Sequence, residues 1–410
     1  MSNNLKELFT LGELYVSDFI KDEKDYADRE KHELKMMLEL DTGAVRLEKM
    51  PPSSMMWGKY WYRSGTNQTM KDHLFDVVKK TSSLVKLNPN DIWLDIACND
   101  GTLLSFVDNR LKRIGIDPAD NSFLHESSEH AHTVIQDYFS KQVYEKACGN
   151  QKAKVITTIA MFYDIENPDG FIKDIYQILD DNGVWVVQMS YTPLMLKQLA
   201  FDNICHEHLY YYSLFNIKKL FERNGLKILD CTLNDANGGS FRVTAIKDTA
   251  DIKSFSTQQN RDIFDFNVKS LLAYEETLKL DHPETWLNFF DKILALKKQT
   301  CDFLMQEKSK GKVIAGYGAS TKGNTLLQYF GIDNTMMDCI AERSPYKFGL
   351  KTVGSNIPIV SEQQMREMNP DYLLVLPWHF IDEFVKREKS FLNDGGKFIV
   401  PCPNFEVISK

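Results

Sequence analysis

Three aspartates follow three strand-like runs: Asp95 in "IWLDIA", Asp117 after "LKRIGI" and Asp137 in "VIQDYF". A carboxylate at a strand end reaches the crevice where open α/β sheets bind ligands. Asp117 has the place of an acid that grips the two hydroxyls of a ribose, and Asp137 is placed to receive an adenine amino group. Asp95 suits an amine-bearing ligand better than a pyrophosphate. The turn "DIWLDIACNDGTLL" carries one glycine, Gly101, with Asn99 and Asp100 tolerating a left-handed backbone. It is a poor dinucleotide fingerprint.

The second group is "ICHEHLYYYS", in which His206 and His208 flank Glu207 ahead of three tyrosines. An extended backbone points both histidines the same way, and a helical one separates them. The spacing is not the His-Glu-x-x-His of zinc hydrolases, so no metal is expected. Imidazole titrates near neutrality and can remove the proton beside a ketone, leaving an enolate carbon as a nucleophile. Glu207 can orient a ring or bond a sugar. Tyr62 and Tyr210 to Tyr212 offer phenol donors to the enolate oxygen, although a tyrosine beside Trp61 is equally a packing residue.

A third group is "VIAGYGASTKGN", where Ser320, Thr321 and Lys322 lie between Gly318 and Gly323. Amides at a helix start attract phosphate and Lys322 adds charge. The alternative is a turn that only closes strand against helix.

These groups need rigid elements behind them. From Asp91 strands alternate with helices, which predicts a parallel sheet covered on both faces; "DGFIKDIYQILDDNG" reads as a helix closed by Asn182-Gly183, and "LKILDCTL" and "SFRVTAI" as an antiparallel pair at the sheet edge. A second alternating block runs from "KVIAGYG" to "KFIVPCP". The predicted organisation is a small α+β domain over 1–70, an α/β lobe over 71–255, a helical connector over 256–300 and a second α/β lobe over 301–410. A net charge of -8 argues against a nucleic-acid partner. The scattered cysteines read as reduced thiols and no membrane span is evident, so a cytoplasmic monomer or weak homodimer is expected.

"LDIACNDG" resembles the first motif of the class I S-adenosylmethionine-dependent methyltransferases, with Ala97 where glycine is common. Further, "YRSGTNQTMKDHL", "LDIACNDGTLLSF", "FDNICHEHLYYYSL", "NGGSFRV" and "GYGASTKGNTLLQYFGI" resemble, in this order, the sugar C-methyltransferase family. The resemblance implies a class I methyltransferase lobe with a C-terminal Rossmann-like lobe, S-adenosylmethionine as cofactor and a nucleotide-linked 4-keto-deoxysugar, first of all a dTDP sugar, methylated at C3. It implies His208 as the base, with Glu207, His206 and Tyr62 as its companions. The expected cofactor residues are Asp95, Ala97, Asn99, Gly101, Asp117, Asp137, Tyr138 and Ala160. Those expected at the substrate are Tyr62, Asn67, Asp164, Tyr191, Ser320, Lys322 and Asn324. Asp164 stands where relatives carry histidine, and is expected to accept a sugar hydroxyl. The family's zinc-binding domain has no cysteine here before Cys98, so packing must replace metal. O- or N-methylation of a similar sugar, a non-catalytic nucleotide-sugar binder and an NAD-dependent enzyme are the competing expectations.

Overall fold

The central strand of the middle lobe, Ile92–Ile96, is buried at every position, as a strand covered on both faces requires. In this computed structural model, which describes residues 4–26, 29–52, 55–56, 61–255 and 257–410, that strand lies within a seven-stranded sheet. Its spatial order is Leu226–Asn234, Ser240–Lys247, Leu179–Ser190, Ala153–Ile159, Ile92–Ile96, Lys112–Ile116, Thr133–Ile135. The last five strands pair in parallel, whereas Ser240–Lys247 is antiparallel to both its neighbours. The chain's path reverses at Ile92–Ile96, which opens a crevice at the carboxyl end of that strand. This is the class I methyltransferase arrangement, with further lobes attached.

One local expectation is corrected. The helix ends at Ile178 and the chain turns straight into the strand Leu179–Ser190, so Asn182 and Gly183 lie inside a strand. Gly183 is needed for close approach: a Cβ there would stand 2.9 Å from the Lys154 carbonyl oxygen and 3.1 Å from that of Ala153. Glycine in a strand interior often marks such a contact.

The N-terminal sheet is formed by Leu5–Tyr15, Lys31–Glu39 and Val45–Leu47, all antiparallel, and Tyr210–Tyr211 adds a fourth strand from the far side of the middle lobe. Thr42 and Gly43 form a turn, with Gly43 at φ 71° and its amide on the Glu39 carbonyl. Leu34, Met36, Leu38 and Leu47 are buried beneath the sheet, each contributing about 1.5–3 kcal/mol on burial. Packing and hydrogen bonds weld this sheet to the C-terminal lobe. Both backbone polar groups of Tyr15 bond the Gln328 carboxamide, at 2.9 and 3.1 Å, and Phe19–Ile20 pairs with Lys351–Thr352.

Helices Gln258–Leu278 and Pro283–Ser309 lead into a six-stranded C-terminal sheet ordered Ile359–Ser361, Cys339–Glu342, Ile314–Tyr317, Tyr372–Val375, Lys397–Val400, Glu406–Ile408. It is parallel except for its last strand. Its path also reverses at the first strand, directly before the glycine turn. Among the described residues no helix is long and apolar enough to cross a membrane.

Candidate active site

A cavity of about 410 Å³ opens at the carboxyl ends of the middle strands, lined by Asp95, Ala97, Asn99, Asp117, Tyr138 and Ala160 among others. Ala97, Asn99 and Ala160 have φ of 59°, 53° and 55°. Left-handed backbone is costly for residues with a Cβ, about 1–2 kcal/mol each, and such strain clusters at ligand sites. Ala97 pays this penalty where glycine would not, and its amide bonds the Ile116 carbonyl at 2.8 Å. Gly101, at φ 78°, has no room for a side chain, since a Cβ would stand 2.8 Å from Ser127 Cα.

The acids divide by their surroundings. Asp95 is 3% exposed and its carboxyl is pushed up to about 7, chiefly by burial; the Thr157 hydroxyl, donating at 2.7 Å, acts the other way, and the Asp117 charge adds to the rise. Asp117 is raised by burial and lowered by the amides of Ala119 and Asn99, at 2.8 and 2.7 Å. Each of its oxygens takes one amide and keeps acceptor capacity, which suits a pair of adjacent hydroxyls. Asp137 does not join them: it is exposed, lies off the cavity wall, and accepts the Tyr138 amide at 2.8 Å. Tyr138, 52% exposed, is the neighbour that reaches the cavity.

Asn99 does more than turn the chain. Its Nδ2 donates to the Tyr62 carbonyl at 3.0 Å and its Oδ1 accepts the Ser64 amide at 3.1 Å, while Asp100 accepts the Gly65 amide at 2.7 Å. The segment carrying Tyr62 is thereby pinned across the cavity mouth. Tyr62 lines the cavity, and burial followed by the Asp100 charge raises its phenol, which remains a proton donor. Asn67 stands outside the cavity as the N-cap of Gln68–Leu84.

The two histidines go separate ways because residues 205–208 form a turn, with the His208 amide on the Cys205 carbonyl at 3.1 Å. His206, 2% exposed, donates from Nε2 to the His32 carbonyl at 2.9 Å. It anchors the turn to the N-terminal sheet. His208 directs Nδ1 at the Asn203 carbonyl, 2.9 Å away, and its ring lies 4.3 Å from that of Tyr163. A carbonyl only accepts, so Nδ1 carries the proton and Nε2 the lone pair. Burial first, then the Lys322 charge, depress His208 to about 3.

Asp164, next to Tyr163, lines the cavity, and its Oδ1 is buried without a partner among the described residues, as is Glu207 Oε2. Burial and then Glu207 push the Asp164 carboxyl well above the usual range; burial also raises Glu207. A rise in this direction favours the neutral carboxylic acid, an O–H donor, over the carboxylate that accepts a sugar hydroxyl. A buried carboxyl with no cation beside it neutralises itself.

The remaining expected residues are committed elsewhere. The Tyr191 hydroxyl donates to Glu275 at 2.8 Å, and that carboxylate also takes the amides of Leu214 and Phe215. Ser320 caps Thr321–Phe330, and Asn324 Nδ2 donates to the Asp18 carbonyl at 3.1 Å. The Lys322 ammonium donates to Asn203 Oδ1 at 2.6 Å. The sequence reading passed over Gln188, His73 and Arg242, which form a polar wall behind the cavity: Gln188 Oε1 accepts Arg242 Nε at 3.1 Å and lies 3.0 Å from His73 Nε2. Their only signal was a glutamine and an arginine inside otherwise apolar strands.

The acids and strained backbone of the cavity fit an adenosyl and amino-acid moiety, while His208, of defined tautomer, lies off the cavity wall in a separate small pocket with Tyr163, Asn203, Tyr210 and Tyr211. Comparison with known proteins covers the same two lobes. A methyltransferase domain model matches residues 67–230, and a model of the C-methyltransferase C-terminal domain matches residues 235–403. C-methyltransferase NovU of Streptomyces niveus is 28% identical over 356 residues, 87% of this chain and 82% of NovU. Among solved structures, an S-adenosylmethionine-dependent methyltransferase from Clostridium acetobutylicum is 14% identical, with 45% of this chain and 93% of that one covered at a TM-score of 0.33. Magnesium protoporphyrin IX methyltransferase from Synechocystis is 13% identical, with 44% and 79% covered at 0.32. Adjoining family matches across both lobes, together with the similarity to NovU along most of the length, identify the chain as an S-adenosylmethionine-dependent C-methyltransferase related to NovU.

Proposed function

We propose that the enzyme methylates C3 of a nucleotide-linked 4-keto-deoxysugar, a thymidine diphosphate sugar being the first choice, through an enolate formed by His208. The observation that carries this reading is the His208 Nδ1–H bond to Asn203, which leaves Nε2 as the basic nitrogen; the Tyr163 ring packed against it directly precedes Asp164 on the cavity wall. The nucleotide-sugar assignment rests on the motif resemblance described above.

S-adenosylmethionine supplies a methyl group on a positively charged sulfur. The protein's part is deprotonation, alignment and exclusion of water. The proton beside the ketone passes to His208 Nε2, and the C–H electron pair moves into the enolate. An imidazole depressed to about 3 is a weak base, so the reaction depends on stabilising the enolate oxygen. On the cavity wall, the Tyr62 phenol and the Asp164 carboxyl, in the neutral form that its upward shift favours, are the donors for that oxygen. A protonated carboxyl in an apolar pocket is an effective donor of this kind. His206, held by the N-terminal sheet, keeps the turn in place.

The test is to supply thymidine diphosphate 4-keto-6-deoxyglucose with S-adenosylmethionine bearing a ¹³C-methyl group and to follow the label by NMR. The expected product has the labelled methyl on C3. A methoxy or N-methyl resonance would replace this reading with O- or N-methylation.

A further inference from the structure

Two side chains of the C-terminal lobe end inside the middle lobe. Lys322 Nζ donates to Asn203 Oδ1 at 2.6 Å and lies 3.4 Å from the Asn237 carbonyl oxygen. Trp378 Nε1 donates to Asp202 Oδ2 at 3.1 Å. Asp202 and Asn203, 2% and 5% exposed, are therefore gripped from across the lobe boundary. The carbonyl of this same Asn203 receives His208 Nδ1–H at 2.9 Å and the Tyr211 hydroxyl at 3.4 Å.

We propose that Lys322 is a positioning residue for His208: through Asn203, the C-terminal lobe sets the tautomer and location of the imidazole, so proton removal depends on both lobes. This rests on His208 being the base. Asn203 ends the 3-10 turn Phe201–Asn203, so one residue carries both the carboxamide that Lys322 holds and the carbonyl that His208 meets. Rotating that carboxamide away would leave the ammonium only its longer 3.4 Å bond to the Asn237 carbonyl, a loss that a low-dielectric interior penalises. The bond therefore restrains the carbonyl, and the carbonyl restrains the ring. Lys322 is not the free phosphate-gripping lysine that the glycine turn suggested.

Charge adds a second link. The titratable groups around His208 are Tyr163 beside its ring, Tyr210 and Tyr211 on the adjoining strand, Cys205, Glu207 and Asp164 on the turns, and Lys322 from the other lobe. Lys322 is the cation of this set, and its charge helps keep the imidazole neutral. Removing the charge lets the imidazole titrate at a higher pH.

The experiment compares Lys322→Met, Lys322→Arg and His208→Ala in the full-length enzyme with the thymidine diphosphate ketosugar. The readouts are kcat, KM, exchange of the sugar's α-hydrogen with deuterated solvent, and S-adenosylhomocysteine affinity. Lys322→Met is expected to lower kcat and exchange together by roughly 10- to 100-fold, less than the roughly 10²- to 10⁴-fold contributed by an intact general base because the base is misplaced and not removed, with cofactor affinity retained. Its acid limb should move to higher pH, and Lys322→Arg should recover part of the loss. If Lys322→Met does not fold, Lys322→Gln, which keeps a donor without the charge, is read on the same scale. Unchanged exchange in the lysine variant, or a loss accompanied by equal loss of cofactor affinity, overturns the positioning role. Exchange that persists in His208→Ala overturns the base assignment instead, whatever the lysine variants do.

Discussion

In the middle lobe the turn after Ile92–Ile96 faces open space, and acids, left-handed alanines and a pinned aromatic segment surround the cavity. In the C-terminal lobe the turn after Ile314–Tyr317 is filled by the protein. Glu342 accepts the Ala319 amide at 3.1 Å, Lys347 donates to the Ala319 carbonyl at 2.8 Å, and Ser320 accepts the Gly323 amide at 3.0 Å. The same strand–turn–helix unit therefore serves two purposes. One borders a cavity with acceptor capacity left on its acids, while the other is closed by the protein's own groups and sends a lysine into its neighbour. A glycine-bearing turn announces close approach of something, and whether that is a ligand or a side chain depends on residues distant in sequence.

The largest test of this contrast is a matched pair of substitutions. Asp117→Ala should weaken S-adenosylhomocysteine binding by about 2–4 kcal/mol, roughly 30- to 1,000-fold, through loss of two bonds to a charged acceptor. Glu342→Ala, at the corresponding strand end of the other lobe, should leave that affinity unchanged. Calorimetry reads both, and equal losses would break the contrast.

Next in size is the role of Asp164. As a protonated donor it should tolerate Asn, which keeps an N–H, far better than Leu: Asp164→Leu should cost about 100-fold in kcat and Asp164→Asn about tenfold or less. Steady-state kinetics decide this. A loss confined to KM in the Asn variant would mean that the carboxylate binds substrate in its ionised form.

Two glycines compare the turns directly. A Cβ at Gly318 would lie 2.7 Å from Pro377 Cγ, and one at Gly101 2.8 Å from Ser127 Cα, both at positive φ. Either Gly→Ala change should destabilise by about 1–3 kcal/mol in urea melts. Only Gly101→Ala should also weaken cofactor binding, since only its turn holds the ligand.

The smallest effect concerns His206, lowered to about 4 first by burial, with the His32 carbonyl opposing the fall. Its folded pKa lies below the ordinary value near 6.5, so between about 6.5 and 4 the unfolded chain binds the extra proton and stability falls as pH falls. The slope is up to about 1.4 kcal/mol per pH unit for one such group. His206→Gln should flatten the dependence of the urea midpoint by that amount over this range. An unchanged slope would mean that the imidazole is already protonated in the folded state.

Much of the framework was legible in the sequence because periodicity and turn residues are local. Strand runs such as "IWLDIA" form strands, and "LKILDCTL" and "SFRVTAI" form the expected antiparallel pair at the sheet edge. Asn182-Gly183 misled because a glycine needed for close approach between strands carries the same letter as a helix stop. At the site, Asp95, Asp117, Ala97, Asn99, Tyr138, Ala160 and Tyr62 come together at one cavity, since each follows a strand or is pinned to one that does. Asp137, Tyr191, Ser320 and Asn324 do not: Asp137 and Ser320 are taken by amides one and three positions on, whereas Tyr191, Lys322 and Asn324 end on partners 84, 119 and 306 positions away. The separation of His206 from His208 was equally hidden: it depends on a turn whose anchors, His32 and Asn203, lie on different sheets and turns.

The most direct test of the central contrast is titration of the full-length protein with S-adenosylhomocysteine and, separately, with NAD. One S-adenosylhomocysteine site per chain, abolished or severely weakened by Asp117→Ala, and no heat from NAD are the expected results. Binding of NAD, or S-adenosylhomocysteine binding that survives Asp117→Ala undiminished, would contradict the assignment of the two turns.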